Sequence, residues 1–214
     1  MKISGIVVGP FQSNTWLVTD AAGETGVIVD PGDQADRILA LVKDKGVEVA
    51  AILLTHGHID HVGAAAEVAS RTGAKVFIHP EDREVLDMVP SQCRLFGVTA
   101  VEAPVVEGVI EDEGELHFGG LTVRCIHTPG HSPGHTCFLF SEDNETLLVA
   151  GDLLFAGSIG RTDLWSGSAS DMRISLDRIK MLPGPTPVYS GHGLRTTIAA
   201  ELRDNPYLNG LLAF

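Results

Sequence analysis

The sequence predicts an α/β or α+β fold built in layers, and three observations predict it. Short runs of Val, Ile, Leu, Thr and Phe, bounded by turn residues, alternate with segments of helical apolar spacing in both halves of the chain. One of these runs, residues 50–54, is apolar throughout, which suits a strand covered on both faces. The chain's 214 residues, 44% hydrophobic and 20% charged, are enough to bury a substantial core. No internal repeat, low-complexity tract or Pro/Ser-rich linker divides them, so a single domain over residues 1–214 is expected.

Strands are expected first at residues 2–8, 15–19 and 26–29, separated by the turn signals Gly9-Pro10 and Ala22-Gly23. Pro31-Gly32-Asp33 then stops the chain and caps a helix over about residues 34–45, with Ile38, Leu41 and Val42 on one face. The buried strand at 50–54 runs into HGHIDH. An Ala-rich helix is expected over 62–71, closed by Gly73, followed by a strand at 75–78 and a short helix at 81–88. Residues 90–114 have weak periodicity and acidic character, so loops and one strand are expected there. Strands are expected at 121–127, 136–140 and 146–150, a helix over 168–182 with Met172, Leu176 and Ile179 on one face, a last strand at 187–190 and a short final helix at 197–203.

Charge and composition exclude several function classes. The 15 Lys and Arg against 28 Asp and Glu give a net charge of −13, and no basic cluster is present, which argues against a nucleic-acid partner. No apolar run approaches the ~20 residues that span a bilayer, so no membrane partner is expected. The N-terminus has a short apolar stretch broken by Gly5, Gly9 and Pro10, unlike a signal peptide. Cys93, Cys125 and Cys137 are odd in number, widely spaced and form no CxxC, which fits buried reduced thiols and a cytoplasmic setting.

Histidine is the informative residue. His56, His58, Asp60 and His61 lie within HGHIDH, directly after a buried strand, where a loop can turn alternate side chains toward one point. Imidazole and carboxylate suit zinc, manganese or iron, and the absence of thiolate argues against a closed structural zinc site. Further donors stand where loops follow later strands: His131 in TPGHSPGH, Asp152 in AGD and His192 in SGHG. Each is flanked by Gly, which lets backbone approach closely. Four strand ends, each carrying donors, point to one cleft at a common sheet edge.

THGHIDH, HTPGHSPGH, AGD and SGHG, in that order, resemble the metallo-β-lactamase superfamily, over about residues 11–208. The segment Ser158-Ile159-Gly160-Arg161-Thr162-Asp163-Leu164 and the terminal Asn205-Pro206-Tyr207-Leu208 resemble the glyoxalase II (hydroxyacylglutathione hydrolase) group, especially its short bacterial form. The resemblance implies a four-layer αβ/βα sandwich of two mixed sheets flanked by helices. It implies two divalent metal ions, zinc foremost with iron or manganese as alternatives. One would be held by His56, His58 and His131, the second by Asp60, His61 and His192, with Asp152 bridging both. It further implies hydrolysis of a small-molecule thioester by a hydroxide bridged between the metals, with Asp60 as the candidate catalytic residue that orients it. The resemblance makes S-lactoylglutathione the lead candidate substrate. GRTD is shared with persulfide dioxygenases, which would place one iron on His56, His131 and Asp152. A nuclease and a non-catalytic metal-binding module are weaker alternatives. A homo-oligomer is compatible with the sequence.

Other residues carry secondary expectations. Asp30 is a candidate acceptor for a ligand imidazole or a turn former, and Thr55 and Ser190 are candidate supports of the ligands. His79 is expected at a helix start, His135 in a structural role beside the His131 loop, and His117 at the surface. Arg161 is expected to pair with Asp163. Longer glyoxalase II enzymes carry a C-terminal helical domain that supplies basic residues for the glutathione tail. Here only Arg195 and Arg203 follow His192, so weak glutathione recognition is expected, with Arg195 as the candidate anion contact.

Overall fold

In the computed structural model, which describes residues 1–164 and 166–212, the N-terminal β-runs pair as the turn signals dictate. Strands β1 (Lys2–Val8), β2 (Ser13–Thr19) and β3 (Thr25–Val29) form an antiparallel meander. Helix α1 (Ala35–Lys45) crosses over to β4 (Glu48–Leu53), which lies parallel to β3. Helices α2 (Ile59–Val62) and α3 (Ala65–Thr72) lead to the parallel strand β5 (Lys75–Ile78). A 3-10 turn at Pro80–Asp82, α4 (Arg83–Asp87) and α5 (Val89–Phe96) precede β6 (Val106–Val109), the last parallel strand of this sheet.

The second sheet opens with β7 (Glu115–Phe118), β8 (Leu121–His127), β9 (Thr136–Glu142) and β10 (Glu145–Gly151), all antiparallel. A small hairpin of β11 (Leu154–Phe155) and β12 (Ser158–Ile159) follows, then α6 (Ala169–Ile179). Strand β13 (Pro187–Ser190) pairs parallel to β10, β14 (Thr196–Thr197) pairs antiparallel to β13, and α7 (Ile198–Asp204) follows. The order is β1-β2-β3-β4-β5-β6 in one sheet and β14-β13-β10-β9-β8-β7 in the other.

The period of two along each strand sorts its side chains into layers. Val27 and Val29 of β3 and Ala51 and Leu53 of β4 face inward, against Val123, Phe138, Phe140 and Val149 of the second sheet. Ile28 and Ile52, between them in sequence, face outward and meet Ile38 and Val42 of α1 and Val68 of α3. Leu148 and Cys137 likewise face away from the inter-sheet core and pack on Met172, Leu176 and Ile179 of α6. Two mixed sheets with helices on both outer faces give the four-layer sandwich.

Two local expectations are corrected, and one hairpin was not foreseen. The helix expected over 62–71 begins only at Ala65, with a separate short helix at Ile59–Val62 before it, and between them Ala64 N–H bonds the Pro31 carbonyl at 2.9 Å and draws the chain onto the loop after β3. Residues 90–114 hold a helix besides the expected strand. Pro90 sits in the first turn of α5, where no donor is needed, and Gly97 closes it at φ 67°. The buried Gln92 breaks the apolar pattern that would have revealed it. The hairpin β11–β12 has strands of two residues each, too short to leave a periodic signal. No helix among the described residues is long and apolar enough to cross a membrane.

Candidate metal centre

Four loops leave β4, β8, β10 and β13 at the same edge of the sandwich, and they carry the histidines and aspartates singled out above. Backbone contacts fix the loops to one another. Gly191 N–H bonds the Gly151 carbonyl at 2.7 Å, and Asn14 N–H bonds the Gly191 carbonyl at 2.7 Å. Only glycine fits at 191, since a Cβ there would stand 2.1 Å from Asp152 Oδ1 and 2.7 Å from His61 Cε1.

All seven donors converge. His58 Nδ1 lies 2.9 Å from His131 Nε2, and the His56 ring stands 4.7 Å and 4.9 Å from those two rings. Asp60 Oδ2 lies 3.1 Å from His192 Nε2 and 3.5 Å from His61 Nε2. Asp152 stands between the two groups. Its Oδ1 is 3.4 Å from His61 Nε2, and its Oδ2 is 3.5 Å from His192 Nε2 and 3.7 Å from His131 Nε2. Both His56–His58–His131 and Asp60–His61–His192 bring one donor atom from each residue close enough to share a cation.

The donor set fits metal on two further observations. His56 Nε2, His61 Nε2 and Asp152 Oδ1 are buried without a hydrogen-bond partner, a costly condition that a shared cation would relieve. The imidazole tautomers inferred from hydrogen-bond partners also aim lone pairs inward. Thr55 Oγ donates to Asp30 Oδ2 at 2.6 Å, so at 2.9 Å it accepts the His56 Nδ1 proton and leaves Nε2 as donor atom. His61 Nδ1 donates to Asp30 Oδ2 at 3.0 Å, and His131 Nδ1 donates to the Arg161 carbonyl at 2.8 Å.

Charge and burial divide the histidines into two kinds. Burial, reinforced by neighbouring imidazoles, holds His56 well below the usual histidine range and takes His58 down to about 3, so both are neutral ligands. Burial acts the same way on His61 and His192, but the carboxylates of Asp60 and Asp152 outweigh it and raise both. Those imidazoles in turn overcome burial at Asp60 and Asp152 and keep both carboxyls ionised.

The supporting residues sort clearly. Asp30 and Thr55 touch the histidines, as expected; Asp30 Oδ1 also accepts Thr55 N–H at 2.8 Å. Ser190 touches none of them. Its hydroxyl donates to the Leu154 carbonyl at 2.6 Å, while Asn14 Nδ2 holds the Ser190 and Gly193 carbonyls at 3.0 Å on either side of His192. His135 is structural: Nε2 accepts the Asp152 N–H at 3.1 Å. His79 caps the 3-10 turn, His117 is exposed, and Arg161 pairs with Asp163 at 2.7 and 2.9 Å. Arg195, expected near the site, is exposed and does not line the cleft, because its loop turns outward after His192; Arg161 lines it instead.

Two supports escaped sequence reasoning. Asp82 is buried and accepts from Gly57 N–H at 2.6 Å, Gly134 N–H at 2.7 Å and Ser132 Oγ at 3.0 Å, so it ties the HGHIDH loop to the HSPGH loop. Gln92 accepts from Ile59 N–H at 2.8 Å and donates to the Gly57 and Val85 carbonyls at 3.1 and 2.8 Å. The one sequence signal for Gln92 is an amide on the buried face of a helix.

A family model described as the metallo-beta-lactamase superfamily matches residues 8–192. The chain belongs to that superfamily. Among its relatives in the superfamily are an uncharacterized Mycobacterium leprae protein, ML0493 (42% identical, 99% of this chain and 100% of that one), and the hydroxyacylglutathione hydrolase GloC of Haemophilus influenzae (36%, 98% and 99%). Among solved superfamily structures it is similar to TTHA1623 in a di-iron-bound form, at 38% identity and TM-score 0.86, over 96% of this chain and 100% of that chain. Superfamily membership and the convergent donors make this a metal-binding site of the metallo-hydrolase kind.

Proposed function

We propose that the chain is a metallohydrolase of small-molecule thioesters, with hydroxyacylglutathione hydrolysis as its lead reaction. One divalent ion is held by His56, His58 and His131, the other by Asp60, His61 and His192, and Asp152 reaches both. Zinc is the first choice, with iron and manganese as alternatives. The observation that carries the reading is the second triad: Asp60, His61 and His192 are drawn together beside the first, a donor set that a second ion would use. The name of the Haemophilus influenzae relative supports the choice of substrate.

When bound, the two ions supply an acidified water and an electrophile for the carbonyl oxygen. The chain's part is placement. Asp30 and Thr55 fix the rings of His61 and His56, and the Arg161 carbonyl fixes His131. Asp60 lines the cleft, with its side chain only 18% exposed, and its ionised carboxylate is placed to orient the attacking water. The substrate sits in the cleft of about 400 Å³ in front of these residues.

The test is turnover of metal-replete protein on S-lactoylglutathione against glutathione persulfide, with oxygen uptake recorded. Thiol release from the thioester without oxygen uptake is expected. Oxygen consumption on the persulfide with an inert thioester would replace this reading with the dioxygenase.

A further inference from the structure

The cleft in front of the seven donors continues into a second pocket of about 430 Å³, and the two share Phe11, Ile59, Asp60 and Phe96. Phe11, in the turn after β1, and Phe96, at the end of α5, meet edge to face with centroids 5.6 Å apart and planes at 80°. Both are large apolar side chains held in water, 37% and 43% exposed. Beyond the pair, Val98 and Val101 wall the second pocket. Among the described residues that line it, the charged ones are Asp33 and Asp60, and none is a cation. Arg161, the cation that lines the first cleft, does not reach the second pocket.

We propose that the second pocket receives acyl arms longer than the three-carbon lactoyl group, so that the thioester range of this site extends to uncharged, apolar chains or rings of several carbons. Phe11 and Phe96 are the residues that set this specificity. The inference deepens the thioester hydrolase reading and rests on it. Three features carry it. Asp33 repels a carboxylate, so an anionic thiol carrier lies toward Arg161 and the uncharged arm toward the valines. A volume of about 430 Å³ far exceeds a two- or three-carbon acyl group, given that a water occupies about 30 Å³. The exposed Phe11–Phe96 edge gains burial only when an apolar group lies against it.

The experiment measures kcat/KM of the metal-loaded protein on acetyl, butanoyl, hexanoyl and octanoyl thioesters of one uncharged thiol, N-acetylcysteamine. The expected result is a rise of about two- to fourfold per methylene until the pocket is filled. Phe96→Ala and Phe11→Ala flatten that rise, whereas Leu95→Ala, at the exposed neighbour outside the pocket, keeps it. Calorimetric binding of the matching S-alkyl thioethers reads the pocket without turnover, so failure of the hydrolase reading stays distinguishable from failure of this one. Affinity that climbs with chain length and is lost in Phe96→Ala supports the pocket assignment. Affinity or turnover independent of chain length, or a slope that survives both Phe→Ala variants, overturns it.

Discussion

Asp60 serves two histidines with one oxygen, 3.1 Å from His192 and 3.5 Å from His61, and it borders both pockets. Asp60→Asn keeps the size and removes the charge. The expected outcome is loss of the second metal and a fall of at least ~10²-fold in kcat, measured by metal analysis with steady-state kinetics. Full metal content at near-normal rate would remove Asp60 from the site. The two kinds of histidine give a pH prediction as well. In metal-free protein His56 and His58 are already neutral, so metal at the first triad displaces no proton from those two rings. His61 and His192 are both raised, so metal at the second triad competes with protons on those rings. Affinity there falls on acidification, by up to about tenfold per pH unit for each proton displaced, so lowering the pH strips the second triad first. Calorimetry in buffers of different ionisation enthalpy checks this through the protons released at each step. The seven residues that the structure brings together were legible in the sequence because each stands in a short Gly-containing motif after a strand. Asp82 was not, because nothing local tells that its carboxylate is buried across two loops.

Elements position these residues through a few buried amides and carboxylates. Gln92 on α5 holds residues 57 and 59 by their backbone, so the HGHIDH loop depends on a side chain 33 residues after Ile59. Gln92→Leu leaves the Ile59 N–H and the Gly57 and Val85 carbonyls buried and unpaired. At about 1–3 kcal/mol for each such group, the expected cost is at least ~2 kcal/mol, read by urea unfolding of the metal-free protein, together with weaker metal binding. An unchanged unfolding midpoint would show that water or relaxation replaces the amide. The elements with clear periodicity, among them β1, β5, β8, β13, α1 and α6, were readable to within a few residues. Alternation and helical spacing declare a core face. Helix α5 was hidden by the same Gln92 that makes it functional, and the break between α2 and α3 depends on a backbone contact to Pro31 that no local pattern records.

At the scale of the whole molecule, two sheets lock into one sandwich, and the first sheet contributes one of the four loops and the second sheet three, all at a single edge. The first sheet brings His56, His58, Asp60 and His61 after β4, with β3 delivering Asp30. The second brings His131, Asp152 and His192 after β8, β10 and β13. The fold therefore assembles the site only when both sheets are packed, which is why donors spread over 137 positions of sequence meet within a few ångströms. The central claim is that they meet around two ions. The most direct measurement is a crystal structure of metal-replete protein with anomalous scattering at the metal edge, alongside elemental analysis of the same sample. The account predicts two ions per chain, one on His56, His58 and His131, the other on Asp60, His61 and His192, with an Asp152 oxygen on each. A single ion per chain in metal-replete protein, with Asp60, His61 and His192 turned away from it, would contradict the account.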